Sequence, residues 1–231
     1  MSVLTAVQQA AGAIALARPE QIFAATDQDM LDMQVLVNEV SKQITDANQA
    51  WSSLQKFYTI NGDGVSTTYP LPDDYDHMAQ TSQIWCSDMP QGPLEQVGSL
   101  DDWMAMETMA IEPFFRRWLL QGQNITFRPI LPNASTAQFA YYSRNVVRAA
   151  DNSVKEYFDA DTDTFVLPER LLTLGIIWNW KSRKGVDYSE EFSNFSEALA
   201  REVTRDQGPG TIIRSRYRSG WYSLPPYGYP R

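Results

Sequence analysis

The sequence predicts an α+β protein: mainly a helical bundle, with a small antiparallel β module inserted into it and an extended C-terminal arm. Three observations predict this. An unbroken heptad seam runs from Met30 to Leu54. Turn signals and short extended segments fill the middle of the chain. The final stretch, "IIRSRYRSGWYSLPPYGYPR" (212–231), holds three prolines, four arginines, four tyrosines and a tryptophan, with no acid, and proline suits neither a helix interior nor a central strand.

Taken in order, residues 3–17 ("VLTAVQQAAGAIALA") read as a helix of small residues that packs closely on its neighbours. They resemble a signal sequence only faintly, since no basic residue precedes them and Gln8 and Gln9 interrupt the apolar run. After Thr26, a candidate N-cap, apolar residues fall at Met30, Met33, Val37, Val40, Ile44, Ala47, Trp51 and Leu54. That spacing predicts one long core helix over 27–56, with Asp27 and Asp29 at its positive end and Leu36 widening the stripe.

The character then changes. "YTINGDGVSTTYPLP" (58–72) reads as extended segments around an Asn-Gly-Asp-Gly turn, and "SQIWC" (82–86) as a short strand. "SLDDWMAMETMA" (99–110) is a short helix capped by Ser99. "RRWLLQGQNITFRPIL" (116–131) is a hairpin around Gln121-Gly122-Gln123-Asn124, with Pro129 expected to push its second arm to a sheet edge. "AQFAYYSRNVV" (137–147) adds a strand. Helix returns at "PERLLTLGIIWNWKSRKG" (168–185), apolar nearly all round and so buried on several sides. "YSEEFSNFSEALAREVTRDQG" (188–208) follows, with Ser189 as its cap and Phe192, Phe195, Leu199 and Val203 on one stripe. The implied organisation is a helical bundle of 1–56 and 168–208, a β-rich module of 57–167 and an arm of 209–231.

The formal charge of −9 leaves −13 on residues 1–211 once the four terminal arginines are set aside. Such a body repels phosphates, yet suits a surface that DNA passes without sticking. Cys86 is the single cysteine, so no intrachain disulfide forms. No run of 18 apolar residues exists, which excludes a membrane-spanning helix on this reading.

Catalytic chemistry finds little footing. His77, the one histidine, precedes Cys86 by nine positions, but no glycine-rich turn presents the thiol. Asp73, Asp74, Asp76 and His77 offer hard ligands, although a solvated acidic helix start after Pro72 explains them equally. Asp159, Asp161 and Asp163 mimic the opening of a calcium loop, but Thr164 and Arg170 stand where the glycine and bidentate glutamate belong, leaving an ordinary acidic loop. No phosphate loop, dinucleotide fingerprint or zinc spacing occurs. The expectation is a protein without enzymatic activity, cofactor or metal.

Three readings compete for the C-terminal strip: a solvated end, a nucleic-acid grip and a protein-docking arm. Docking is favoured, because Arg214, Arg216, Tyr217, Arg218, Trp221, Tyr222, Tyr227, Tyr229 and Arg231 are the residue types that dominate binding energy. The prolines also lower the entropy lost on ordering.

The layout resembles the head-to-tail adaptor (connector, or head-completion) proteins of tailed bacteriophages. "AWSSLQKF" (50–57) is similar to the end of that family's second helix. "TTYPLPDDYDHM" (67–78) is similar to its extended element, through Thr68, Tyr69, Leu71, Pro72 and Asp74. "NITFRPILP" (124–132) and "FAYYSR" (139–144) look like its paired strands, through Ile125, Phe127, Pro129, Pro132, Tyr141 and Tyr142. The resemblance implies a structural virion protein at the head–tail junction, assembled in the host cytoplasm. It implies a ring, usually of twelve copies, beneath the portal protein, with tail or nozzle proteins below and DNA passing through its channel. The arm would be the portal contact. The alternative is a soluble nucleic-acid-associated accessory protein that binds through its basic aromatic tail.

Overall fold

The computed structural model describes residues 2–80, 82–109 and 112–207. Five α-helices are present among them: α1 (Val3–Ala13), α2 (Gln28–Ala47), α3 (Leu100–Thr108), α4 (Glu169–Arg183) and α5 (Ser189–Gln207). The first strands are β1 (Gln55–Asn61), β2 (Thr68–Pro70), β3 (Tyr75–Met78), β4 (Trp85–Cys86) and β5 (Glu95–Gln96). Then follow β6 (Arg117–Gln121), β7 (Asn124–Arg128), β8 (Thr136–Ser143), β9 (Val147–Arg148), β10 (Val154–Lys155) and β11 (Thr164–Phe165). With about 38% of the described residues helical and 21% in strands, in three sheets, the protein is α+β but not mainly a helical bundle. The expectation of a small β module grafted on a bundle underestimates the sheets.

The long seam explains part of the error. Met30, Met33, Leu36, Val37, Val40 and Ile44 are buried on α2 as the period demands, but the helix stops at Ala47 rather than near residue 56. Asn48 turns extended, and its side-chain oxygen accepts the Ala50 N–H at 3.2 Å. Such a local bond competes with helix continuation. Trp51 and Leu54 keep the apolar rhythm and are buried, but from a 3-10 turn at Ser52–Leu54. The Trp51 indole donates back to the Ile44 carbonyl at 3.2 Å and satisfies one of the open carbonyls at the helix end. Asp27 occupies the N-cap in place of Thr26.

Other elements fall where the sequence puts them. Ser2 caps α1, whose Val3, Ala6, Val7 and Ala10 face the core; its small side chains allow close packing on α4. Ser99 caps α3. Pro168 precedes α4, which buries Leu171, Leu172, Ile176 and Trp180. At the start of α5 the cap differs: Ser189 donates its N–H and hydroxyl to Asp187, at 3.1 and 2.8 Å. Phe192 stays exposed while Phe195 is buried.

In the first sheet, β8 is central. β1 pairs with it antiparallel from Gln55 opposite Tyr142 to Asn61 opposite Thr136. β3 and β4 pair with β8 as well, placing His77 opposite Tyr142 and Trp85 opposite Gln138. The second sheet runs β2-β7-β6-β5, and the third β10-β9-β11. The β6–β7 hairpin closes through Gly122, whose φ of 61° is the left-handed value such a turn requires. β7 is not an edge strand, because β2 covers its other side. Pro129 lies just past its end, where it costs no ladder bond.

Two main cores result. One gathers α1, α2, α4 and α5 with Val146, Val147, Phe158 and Leu167. The other lies among the sheets around Ile84, Ile125, Phe127, Leu131 and Phe139. A small third cluster, Val97, Trp103, Met106 and Leu119, seats α3.

Candidate functional site: fastenings and assembly surfaces

The sequence-predicted docking residues Arg214, Arg216, Tyr217, Arg218, Trp221, Tyr222, Tyr227, Tyr229 and Arg231 lie outside the described residues. The root of the arm is described. Near the end of α5, the Asp206 carboxylate accepts the Ser52 N–H at 2.7 Å and the Ser52 hydroxyl at 2.5 Å. Ser52 opens the turn that leads into β1, so the chain leaves the helices beside the first strand.

His77 and Cys86 do not meet. They pair with β8 at Tyr142 and Ala137, which puts them roughly 16 Å apart at ~3.3 Å per residue. His77 lies 2.6 Å from the Asp76 carboxylate and 2.9 Å from the Gln49 carbonyl, with its ring 5.0 Å from that of Tyr142. The Cys86 thiol donates to Asp88 at 2.6 Å. Burial, and then this bond, push its pKa up, the opposite of what a nucleophilic thiolate needs. Arg116, only 6% exposed, grips Asp88 through both ends of its guanidinium at 2.9 and 3.0 Å, and its Nε donates to the Pro129 carbonyl at 3.1 Å. Burial alone would raise the Asp88 carboxyl; the bonds from Arg116 and Cys86 outweigh it and hold the group below its usual range.

The two acidic stretches turn out to be fasteners. "DDYDH" is no helix start: it enters β3, and Asp74 joins three elements. Its carboxylate accepts from Lys56 on β1 at 2.5 Å, and from Ser143 and Tyr141 on β8 at 2.7 and 2.9 Å. Burial pushes this carboxyl up, and those three bonds bring it below normal. The loop after Phe158 is likewise more than a solvated acidic turn. Asp161 Oδ1 accepts the N–H groups of Ile22 and Phe23 at 2.9 and 3.0 Å. Asp163, 1% exposed, accepts the N–H groups of Asp159 and Ala160 at 3.0 Å each and pairs with Lys155 at 2.7 Å. The loop therefore clamps the N-terminal segment onto the body. Among the described residues no three His, Cys, Asp or Glu side chains are grouped as a metal would require.

Sequence reading missed the exposed apolar surface. Phe57 is 72% exposed and Trp85 49%. They sit opposite Ala140 and Gln138 of β8, two positions apart on one strand, and so share one face of the first sheet. A second group, Leu100, Met104, Met109, Phe114 and Phe115, is exposed between residues 100 and 115; the two phenylalanine rings stack edge to face at 5.0 Å. The residue types were visible, but their facing needed the strand register.

Polar clusters fasten the elements together, and the apolar side chains turned to solvent suit contact with other proteins. The family model of the SU10 adaptor protein matches residues 1–216. The chain belongs to this family and is a structural adaptor of a bacteriophage, a virion component in contact with other head or tail proteins. No curated protein matches the chain. The family match takes in Arg214 and Arg216 and ends before Tyr217. Among the described residues no helix is long and apolar enough to cross a membrane.

Proposed function

We propose that copies of this adaptor, twelve in number, close into a ring docked beneath the portal protein, and that the genome passes through its channel. The observation that carries this reading is the family membership, which spans residues 1–216. The charge distribution supports it. With −13 on residues 1–211, a channel wall formed by this body repels rather than holds DNA. The arm of 209–231 supplies the cationic and aromatic anchors toward the portal, through Arg214, Arg216, Tyr217, Arg218, Trp221, Tyr222, Tyr227, Tyr229 and Arg231. Many weak copies engaging together give avidity. Tail or nozzle proteins dock on the opposite face, and head-to-tail contacts between copies close the ring.

Electron microscopy of the full-length protein mixed with portal from its own source, beside a version ending at Gly210, tests this. The expected result is a docked ring that is lost on truncation. Docking by both versions would remove the arm from the account. Absence of any ring would overturn the proposal, and steeply salt-dependent binding of DNA by the arm would replace it with nucleic-acid binding.

A further inference from the structure

β1 is a seven-residue strand with an open side. Among the described residues it pairs with β8 alone; the Gln55 N–H turns back to the Ser52 carbonyl, and the backbone of 56–61 makes no hydrogen bond outside that ladder. An open edge is a template for another strand, and proteins ordinarily blunt it with charges, proline or a bulge. β1 has no proline and pairs with β8 in unbroken register. Its one charge, Lys56, is engaged by Asp74. Phe57, at its middle, is 72% exposed. This edge is built to be covered.

The chain itself arrives there. Asp206 is bonded to Ser52, three residues before β1 begins. Four residues on from Gln207 span up to ~13 Å, enough to bring Thr211 beside Gln55. The sequence then reads "TIIRSRY" (211–217): no proline or glycine, three β-branched residues at its start and a tyrosine at its end, a composition suited to a strand. In the extended form Thr211, Ile213, Ser215 and Tyr217 share one face, which gives Phe57 apolar neighbours.

We propose that residues 211–217 add to the open edge of β1 of the same chain as a further strand, running parallel to it. Main-chain bonds would supply the attachment, as in other strand additions. The arm would thereby have a fixed root, with 218–231 projecting from its end. This assignment does not rest on the ring or the portal, since it concerns the isolated chain.

Hydrogen exchange followed by mass spectrometry tests it on the isolated protein. Three forms are compared: full length, a chain ending at Gly210, and the full-length double variant Ile213→Pro with Ser215→Pro. The amides of α4 serve as the reference for an intact fold. The expected result is exchange across 55–61 about tenfold slower in the full-length protein than in the other two forms. A synthetic peptide of residues 208–220, in excess, restores the slow exchange to the truncated chain. Equal exchange in all three forms overturns the proposal. So does slow exchange in the proline variant, which means that the segment covers β1 without strand bonds. Protection that disappears on dilution means that a neighbouring copy supplies the segment, and it overturns the assignment to the same chain.

Discussion

Asp206 and Ser52, 154 residues apart in sequence, are joined by two hydrogen bonds, at 2.7 and 2.5 Å. The pair ties the last turn of α5 to the link between α2 and β1, and so fixes where the C-terminal segment departs. Asp206→Ala removes both acceptors at a solvent-exposed site, where water discounts the worth of hydrogen bonds to a charged group. The expected cost is about 1 kcal/mol in denaturant unfolding, with faster amide exchange confined to residues 50–54 and the end of α5. Unchanged exchange there would mean that the contact does not hold in solution.

Stability should fall steeply in acid. Burial pushes the carboxyls of Asp74, Asp88 and Asp163 up, but their hydrogen-bonding partners outweigh it and hold all three below the ordinary range in the folded protein. The unfolded chain therefore binds protons first as pH drops. The stabilisation is fully present above the unfolded value near ~3.9 and is lost as pH falls through the depressed folded values. Asp74→Asn separates one contribution from the rest. It removes the ion pair to Lys56 and turns one of the two carboxylate oxygens, Oδ1 bonded by Tyr141 or Oδ2 bonded by Ser143, from an acceptor into a donor. The variant should be less stable than the parent by about 1–2 kcal/mol at neutral pH. That gap should shrink in urea titrations near pH 3; a gap of constant size would show that the carboxylate's charge does not matter.

The helical half was the more legible part of the fold, for a physical reason. From Met30 to Ile44 a single helix face is buried, so the period appears directly in the residues. Trp51 and Leu54 are buried too and happen to keep step, so periodicity records their burial and misassigns their backbone. The β6–β7 hairpin was legible because its turn is local and Gly122 marks it. Strand partners were not: β1 and β2 are neighbours in sequence, yet they pair with β8 and β7 in different sheets. That same long-range register decides that Phe57 and Trp85 face outward, so this exposed surface could not be read from residue types. Asp161 looked like part of a failed calcium loop because its true partners, the amides of Ile22 and Phe23, lie 139 and 138 residues away.

Arg116 is a buried cation with every visible partner on a different segment. Asp88 takes two of its bonds, the Pro129 carbonyl a third and the Cys86 sulfur a fourth, at 3.4 Å. Arg116→Met keeps most of the volume and leaves the partly buried Asp88 without its counter-charge. Breaking such a pair from one side costs about 2–4 kcal/mol after allowing for the partial exposure of the carboxylate. Asp88→Asn in the same background should recover part of the loss, because the stranded charge is then gone. A double variant no more stable than Arg116→Met alone would mean that the guanidinium acts through packing rather than charge.

Gly175 decides how closely α4 approaches α2. A Cβ built on it would lie 2.3 Å from Val40 Cγ1 and 3.4 Å from the Phe195 ring. On helix propensity alone, Gly175→Ala should stabilise α4 by about 1 kcal/mol. Packing opposes this, since Val40 is fully buried and held between helices, and an added methyl forces the pair apart at a cost of about 1–3 kcal/mol. The overpacking term is the larger, so Gly175→Ala should lower the unfolding midpoint. The double variant with Val40→Ala relieves the clash and lets the propensity gain show, so it should be more stable than the product of the two single effects implies. Strict additivity of Gly175→Ala and Val40→Ala, measured in a double-mutant cycle, would show that the two helices do not meet at these residues.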